Sequence, residues 1–377
     1  VNDWENHAPT VGVEEEYFLV HPATRGVAPA GSRVVARASA MVGDLVSGEF
    51  TEYQIEGKTP ACPGTAELRE ELRRVRAAAA EAARAEGLRL CASGTPVLGG
   101  DGPVSSLAGL GDHPRYRAGA EQYRAMLDDF AVSAFHVHVH LPDKELAVLV
   151  GNHLRPWLPL LVALSANSPF HEGHDTGYAS WRSVIRGRFP CLGPPPYAAS
   201  LAEHERLAIA MAETEAMLEP GMPFWDVRPN PRLPTLEVRS MDVLVDVDDT
   251  VAMTALIRAL VVTSADLVRR GDPGPRTGGE LLRAAYWRAA RDGRTGGGVD
   301  ALTGRVRPVT EQAESLVRHV RPALEAYGDM GEVSAFLRRL AARGTGAERQ
   351  RAWARGGAGP AGAVDALVRA TECVSVP

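Results

Sequence analysis

Lysine is almost missing from this chain: Lys58 and Lys144 are the only two among 41 basic residues, the rest being arginine. The bias fits a GC-rich coding sequence. It also singles out Lys58, because a compact ammonium serves where a planar guanidinium does not; the plain alternative is a solvated surface lysine. Cysteine is scarce too. Cys62, Cys91, Cys191 and Cys373 lie far apart with no CxxC pair, which argues against a zinc knuckle or a redox dithiol and fits a reducing compartment. No uninterrupted apolar run reaches the length of a membrane span, and Val1-Asn2-Asp3-Trp4-Glu5 lacks the basic-then-apolar order of a secretory signal. Basic residues are not in excess: 47 acids against 41 bases leave a net charge of -6, so nothing points to nucleic acid. The expectation is a soluble cytoplasmic protein without a nucleic-acid or membrane partner.

What is present is enough for a large core. With 377 residues, 45% of them hydrophobic, the chain can form one big domain or two modest ones. No repeat of fixed period and no clear linker is found, so residues 1–377 are read as a single catalytic domain with a mainly helical part from about 250. Strand patterns run from Val11 to Leu19, Glu49 to Glu56, Leu88 to Ser93, Phe135 to Leu141, and through the proline-interrupted Phe224 to Arg239. Helical spacing marks Thr65 to Glu86, with Glu70 placed to pair with Arg74 and Gly87 as its stop. Further helices are expected from Gln122 to Phe130, Lys144 to Ser165 and Leu201 to Leu218, and in arginine-rich stretches after Thr250. The glycine-rich segment from Leu98 to Gly119 is too long for a tight turn. The mixture is α+β.

Two motifs mislead. Gly57-Lys58-Thr59 lacks the first glycine of a P-loop, Glu52 standing in its place. Gly357-Ala358-Gly359-Pro360-Ala361-Gly362 fits GxGxxG by count but follows a helix, not a strand, and reads as a surface loop.

The chemistry lies elsewhere. Glu14-Glu15-Glu16 sits within an apolar strand pattern, where carboxylates are unfavourable. Alternation sends Glu14 and Glu16 to one face and Glu15 to the other. Two adjacent acids repel, and a divalent cation is the simplest compensation; an exposed edge strand is the bland alternative. Glu49, Glu52 and Glu56 mark the second strand pattern. His136, His138 and His140 alternate onto one face, which could hold zinc and make a hydrolase. Alternatively, one histidine joins the carboxylates at a magnesium or manganese site. In Thr235-Leu236-Glu237-Val238-Arg239 an acid and a fixed cation share a face, as a metal-nucleotide site requires, or as a cross-strand ion pair would. In the loop Asp175 to Arg182, hydroxyls, an aromatic surface and Arg182 could grip a carboxylate.

Taken in order, Gly12-Val13-Glu14-Glu15-Glu16, Glu56 with Thr59-Pro60-Ala61-Cys62, His136-Val137-His138, Asn167-Ser168-Pro169 to Arg182, and Thr235-Leu236-Glu237-Val238-Arg239 resemble the carboxylate–amine ligases of the glutamate–cysteine ligase type 2 family. The resemblance continues through Tyr286 to Gly293, Arg318 to Pro322 and Gly344 to Arg351. It implies a glutamine-synthetase-like fold: a curved antiparallel sheet with helices packed on its convex side and a concave face that binds ATP and magnesium, manganese being the alternative metal. Glu14, Glu16, Glu56, His136 and Glu237, with Glu49 as an addition, are then the implied metal ligands. Arg239 would face the transferred phosphoryl group, and His138 would lie toward the nucleotide. Tyr178, Arg182 and Lys58 belong to the implied substrate region, while Cys62 matches a structural cysteine. The partners implied are a small carboxylic acid and an amine, with room for a homo-oligomer. The implied reaction forms an amide, a γ-glutamyl bond among the options, through an acyl phosphate with release of ADP and phosphate. Ala134, Gly57-Lys58, His140 and His171 depart from the family pattern, so the substrates need not be glutamate and cysteine. The rival expectations are a phosphagen-kinase-like phosphotransferase and a non-catalytic nucleotide or metabolite sensor.

Overall fold

The computed structural model describes residues 8–100, 114–219, 221 and 223–372. Its strands are β1 (Val11–Val20), β2 (Val46–Gly48), β3 (Gln54–Lys58), β4 (Arg89–Cys91), β5 (Ala134–His140), β6 (Phe170–His171), β7 (His174–Asp175), β8 (Val227–Pro229), β9 (Thr235–Asp242), β10 (Gly297–Asp300) and β11 (Arg305–Pro308). The main sheet runs β2-β3-β1-β5-β9-β8, with β4 paired to the end of β1, and every pairing in it is antiparallel. The helices are α1 (Gly31–Val42), α2 (Thr65–Ala85), α3 (Pro114–Tyr123), α4 (Lys144–Leu154), α5 (Leu158–Ser165), α6 (Trp181–Arg186), α7 (Leu201–Glu213), α8 (Val247–Arg269), α9 (Gly279–Asp292), α10 (Val309–Ala326), α11 (Met330–Arg343), α12 (Gly346–Arg355) and α13 (Gly359–Glu372).

Alternation along the central strands separates two environments. Val11, Val13, Phe135, Val137, Val139, Leu236 and Val238 join one large core with apolar residues of α2, α4, α5, α8 and α10. The intervening residues, Glu14, Glu16, His136, His138 and Glu237, therefore lie on the opposite face. Glu15 is on the helix side, where Arg76 of α2 and the Thr250 hydroxyl of α8 donate to it. Lys144–Ser165 and Val247–Arg269 are long and apolar enough, by length and composition, to pass for membrane spans, although charged residues such as Arg155 and Arg258 interrupt both. Both are mostly buried within the protein, so their apolarity serves the core.

Several local expectations change. Residues 49–52 do not form a strand with Gln54–Lys58; they are the connection between β2 and β3. The Lys144 to Ser165 helix is interrupted by a 3-10 turn at Arg155–Trp157, where Pro156 and Pro159 supply no backbone donor. Arg74 pairs with Glu71 rather than Glu70. The GxGxxG stretch is not a surface loop throughout, because α13 begins at Gly359, after glycines with positive φ at 357 and 359 break the preceding helix. Most of the glycine-rich segment after Leu98, as well as Val1 to Glu5 and Cys373, lies outside the described residues.

Candidate active site

Strand register assembles the polar face. Glu16 stands opposite Glu56, and Glu14 opposite both Lys58 and His136. Gly12 and Glu237 flank His138 on its two sides. A register shift between Phe135 and Val137 interrupts the pairing of β5 with β9 at His136; such irregularities re-aim side chains. His136 thereby lies between two groups of acids. One is Glu14, His136 and Glu237, the other Glu16, Glu56 and His136, and in each group one ligand atom per residue lies within 4.8 Å of the others.

The histidines are oriented by these neighbours. His136 Nδ1 is 3.0 Å from Glu14 and its Nε2 is 3.8 Å from Glu16. His138 Nδ1 meets the Thr235 hydroxyl at 3.0 Å, and its Nε2 lies 3.4 Å from Glu14. His140 belongs to neither group of acids. A three-histidine zinc site is therefore not what the strand builds.

Electrostatics divide the acids. Burial pushes Glu16 upward against the pull of Arg182. Glu49 is raised far more, by burial and then by the charges of Glu16 and Glu56. Glu56 is pushed up to about 7 by burial and the nearby Glu14, although the Lys58 ammonium 2.7 Å away opposes this. Burial raises Glu14 as well, but hydrogen bonds from His136 and His138 outweigh it and hold that carboxyl well below the usual range. Glu237 is likewise held low against burial, because Arg239 and Arg228 both pair with it and Asn230 donates to it. Burial and the Arg239 cation depress His136 to about 3, so it is neutral and able to ligate. Crowded acids, a neutral imidazole and a buried His136 Nε2 without a hydrogen-bond partner fit an oxygen-preferring divalent ion.

The model of glutamate–cysteine ligase family 2 matches residues 10–369. The chain belongs to that family. It is 46% identical to a candidate glutamate–cysteine ligase 2 from Salinispora arenicola, over 91% of this chain and 89% of the relative. A second such protein, from Mycolicibacterium vanbaalenii, is 44% identical over 92% of this chain and 94% of its own. Among solved structures, glutamate–cysteine ligase from Francisella tularensis, in complex with AMP, shares the fold with a TM-score of 0.67 at 12% identity, covering 98% of this chain and 90% of its own. A bifunctional glutathione synthetase from Pasteurella multocida has a TM-score of 0.66 at 14% identity and covers 97% of this chain and 53% of its own.

Within this family member the loop between α5 and α6 is fixed to the sheet by a residue the sequence did not reveal. Asp242, at the end of β9, accepts from the Asn167 amide and from the Ser168 and Ser180 hydroxyls. The Ser180 hydroxyl, considered for substrate from the sequence, is thus occupied in holding α6. Arg182 is fully buried and donates to the carbonyls of Ser240 and Arg239, leaving only its Nε without a partner. It lines the cavity in front of Glu16, Glu56 and His136, as do Glu49 and Arg239. Tyr178 does not line that cavity; its hydroxyl accepts from Trp287 at the surface. His138 and Lys58 stand beside the cavity rather than on its lining.

Arg228 and Arg186 were also missed. Arg228 is visible in retrospect as an arginine placed against Glu237 across β8 and β9, but only the register reveals that pairing. Arg186 meets Asp226 at 2.5 Å through a contact that no local pattern signals. Cys62 is buried, its thiol pushed up to about 11 chiefly by burial, as suits a packing residue. Gly57 has a packing reason: a Cβ there would meet Val75 Cγ1 at 2.8 Å, so α2 lies too close for a side chain.

Proposed function

We propose that this chain is an ATP- and magnesium-dependent carboxylate–amine ligase acting through an acyl phosphate. The observation that carries the reading is the convergence of two acid groups on His136, with the Arg239 guanidinium beside them, on one face of an antiparallel sheet. Family membership supports the same reaction class, and the AMP in the Francisella ligase supports an adenine nucleotide as co-substrate of the shared fold.

Glu14, Glu16, Glu56, His136 and Glu237, with Glu49 alongside, would hold magnesium, which would neutralise phosphate charge when bound. Manganese is the natural substitute. A carboxylate does not react with an amine because oxide is a poor leaving group. In the first step a carboxylate oxygen of the donor bonds to the γ-phosphorus of ATP as the bond to the β–γ bridging oxygen breaks, giving the acyl phosphate and ADP. The amine nitrogen then bonds to the acyl carbon, phosphate leaves, and the amine releases a proton to solvent. Arg239, aligned by Glu237, would stabilise the phosphoryl oxygens, and Arg182 would receive the donor carboxylate, with Lys58, paired with Glu56, acting from beside the cavity. The three described cysteines are free and buried, which supports a cytoplasmic setting.

The test is substitution of Glu16 and of Glu237 by glutamine. Each keeps shape and removes charge, so calorimetric manganese binding should weaken and ATP turnover should be lost while circular dichroism stays unchanged. Full activity in both variants would remove these residues from the site.

A further inference from the structure

The cavity before the acidic face has a volume of about 320 Å³ and two unlike ends. One end holds Glu16, His136, Arg182 and Arg239. The other is a wall of rings. Tyr116, Phe50, Phe130, Phe189 and Tyr123 form an unbroken edge-to-face series with centroid separations of 5.2, 5.8, 4.9 and 5.3 Å. Phe224 lines the same cavity, so four of the chain's 8 phenylalanines are gathered here. They come from separate stretches of chain, and Phe50, Tyr116, Tyr123 and Phe130 remain only half-buried. Rings closed into a core would be covered by neighbours; these border open volume next to convergent polar groups, the arrangement of a ligand pocket.

The charges on the lining narrow the occupant. Arg115, Arg186 and Arg228 are each engaged by a carboxylate of the chain, Glu219, Asp226 and Glu237 respectively. At the polar end Arg239 is likewise paired with Glu237, and Arg182 lies 3.7 Å from Asp242, but the buried Nε atoms of both have no hydrogen-bond partner, and both residues line the cavity. A buried donor left unmatched is costly and calls for an acceptor. A purine edge would need matched donors and acceptors along the ring wall. That wall is mostly phenylalanine, and the Tyr123 hydroxyl is already occupied with Cys191 and the Ala216 carbonyl. A second carboxylate, as in a short diacid, would be stripped of water against the same rings.

We infer that the acid activated by this enzyme carries an apolar, ring-sized body, of the arylalkanoic or aromatic amino-acid class, which packs on Phe50, Phe130 and Phe189 while its carboxylate reaches Arg182 and Arg239. The inference rests on the ligase reading above and specifies its donor. Aromatic packing in such a wall is directional and sizeable, so the ring body would dominate selectivity.

Hydroxylamine in place of the natural amine makes the test independent of the acceptor, since an acyl phosphate gives a hydroxamate that colours with ferric ion. The full chain is supplied with Mg-ATP, hydroxylamine and either 3-phenylpropionate, phenylalanine or glutamate. The expected result is a kcat/KM for at least one aryl acid about tenfold or more above that for glutamate. Phe130→Ala should raise the KM for that acid about tenfold and leave the KM for ATP unchanged, and Phe50→Leu tests the same wall if Phe130→Ala does not fold. Preference for glutamate overturns the inference while leaving the ligase reading intact. So does a Phe130→Ala effect that falls on ATP instead of the acid, which would make the wall a base site. If no acid yields hydroxamate, calorimetry of 3-phenylpropionate with the chain decides. Binding that Phe130→Ala weakens about tenfold upholds the pocket and removes the ligase reading; absence of binding overturns the pocket as well.

Discussion

Glu15 is the acid of the triplet that faces away from the site, and replacing its partner Arg76 by methionine tests how the sheet is anchored to its helices. Arg76 Nε and Nη2 reach the two Glu15 oxygens at 2.9 and 2.5 Å, and the same guanidinium donates to the carbonyls of Val245 and Leu244. Both side chains are fully buried. Burial alone would raise the Glu15 carboxyl, yet Arg76 holds it below its usual 4.5, so it is charged in the fold. Its contribution is present above that value and is lost as pH falls through the lower folded one. Arg76→Met leaves this carboxylate with only the Tyr17 and Thr250 hydroxyls as donors. Breaking one side of a buried pair costs about 3–5 kcal/mol, which urea denaturation at neutral pH would register as a lower midpoint with an unchanged slope. The double variant Glu15→Met/Arg76→Met should recover much of that loss, because neither charge is then stranded. A single-variant loss below about 1 kcal/mol, or a double variant as unstable as the sum of the singles, would refute the reasoning.

Other perturbations follow from the same geometry. His204 packs edge-on against Trp225 at 4.9 Å, and burial lowers it from its usual 6.5 to about 4. It therefore stabilises the fold fully above pH 6.5 and loses that contribution as pH falls toward 4. The loss is up to about 3 kcal/mol, and His204→Leu should flatten that part of a stability-versus-pH curve. Gly57→Ala should cost about 1–3 kcal/mol through overpacking against Val75, measured as a fall in the denaturation midpoint, with Val75→Ala as the compensating change. Asp242→Ala should release the loop that carries Ser168, Ser180 and α6, raising substrate KM more than it changes the circular dichroism spectrum. Magnesium added to the metal-free chain should raise its melting temperature by linkage, and Glu56→Gln should reduce that rise.

The polar face was largely legible because strand alternation is a strict rule. Parity alone put Glu14 with Glu16 on one face of their strand and His136 with His138 on one face of theirs, and the sheet brings the two faces together. Sequence could not supply register. That Glu16 meets Glu56 and His138 meets Glu237 depends on how strands distant in the chain slide past each other. The boundaries after residue 48 failed because Glu49 to Glu52 share the polarity of the neighbouring strand but form its connection. Asp242 and Arg186 went unseen for a different reason: their partners, Ser168 and Ser180 for one and Asp226 for the other, are brought near only by the tertiary path of the loop. The ring wall was hidden for the same cause, its members being scattered singly from Phe50 to Phe224.

The most direct test of the ligase account is phosphate release from Mg-ATP in the presence of pooled acids and amines, with mass spectrometry of the products. The account predicts a new amide formed with one ADP per molecule of product. A phosphorylated acid or amine that accumulates in place of an amide, or nucleotide bound tightly and never turned over in any pool, would contradict it.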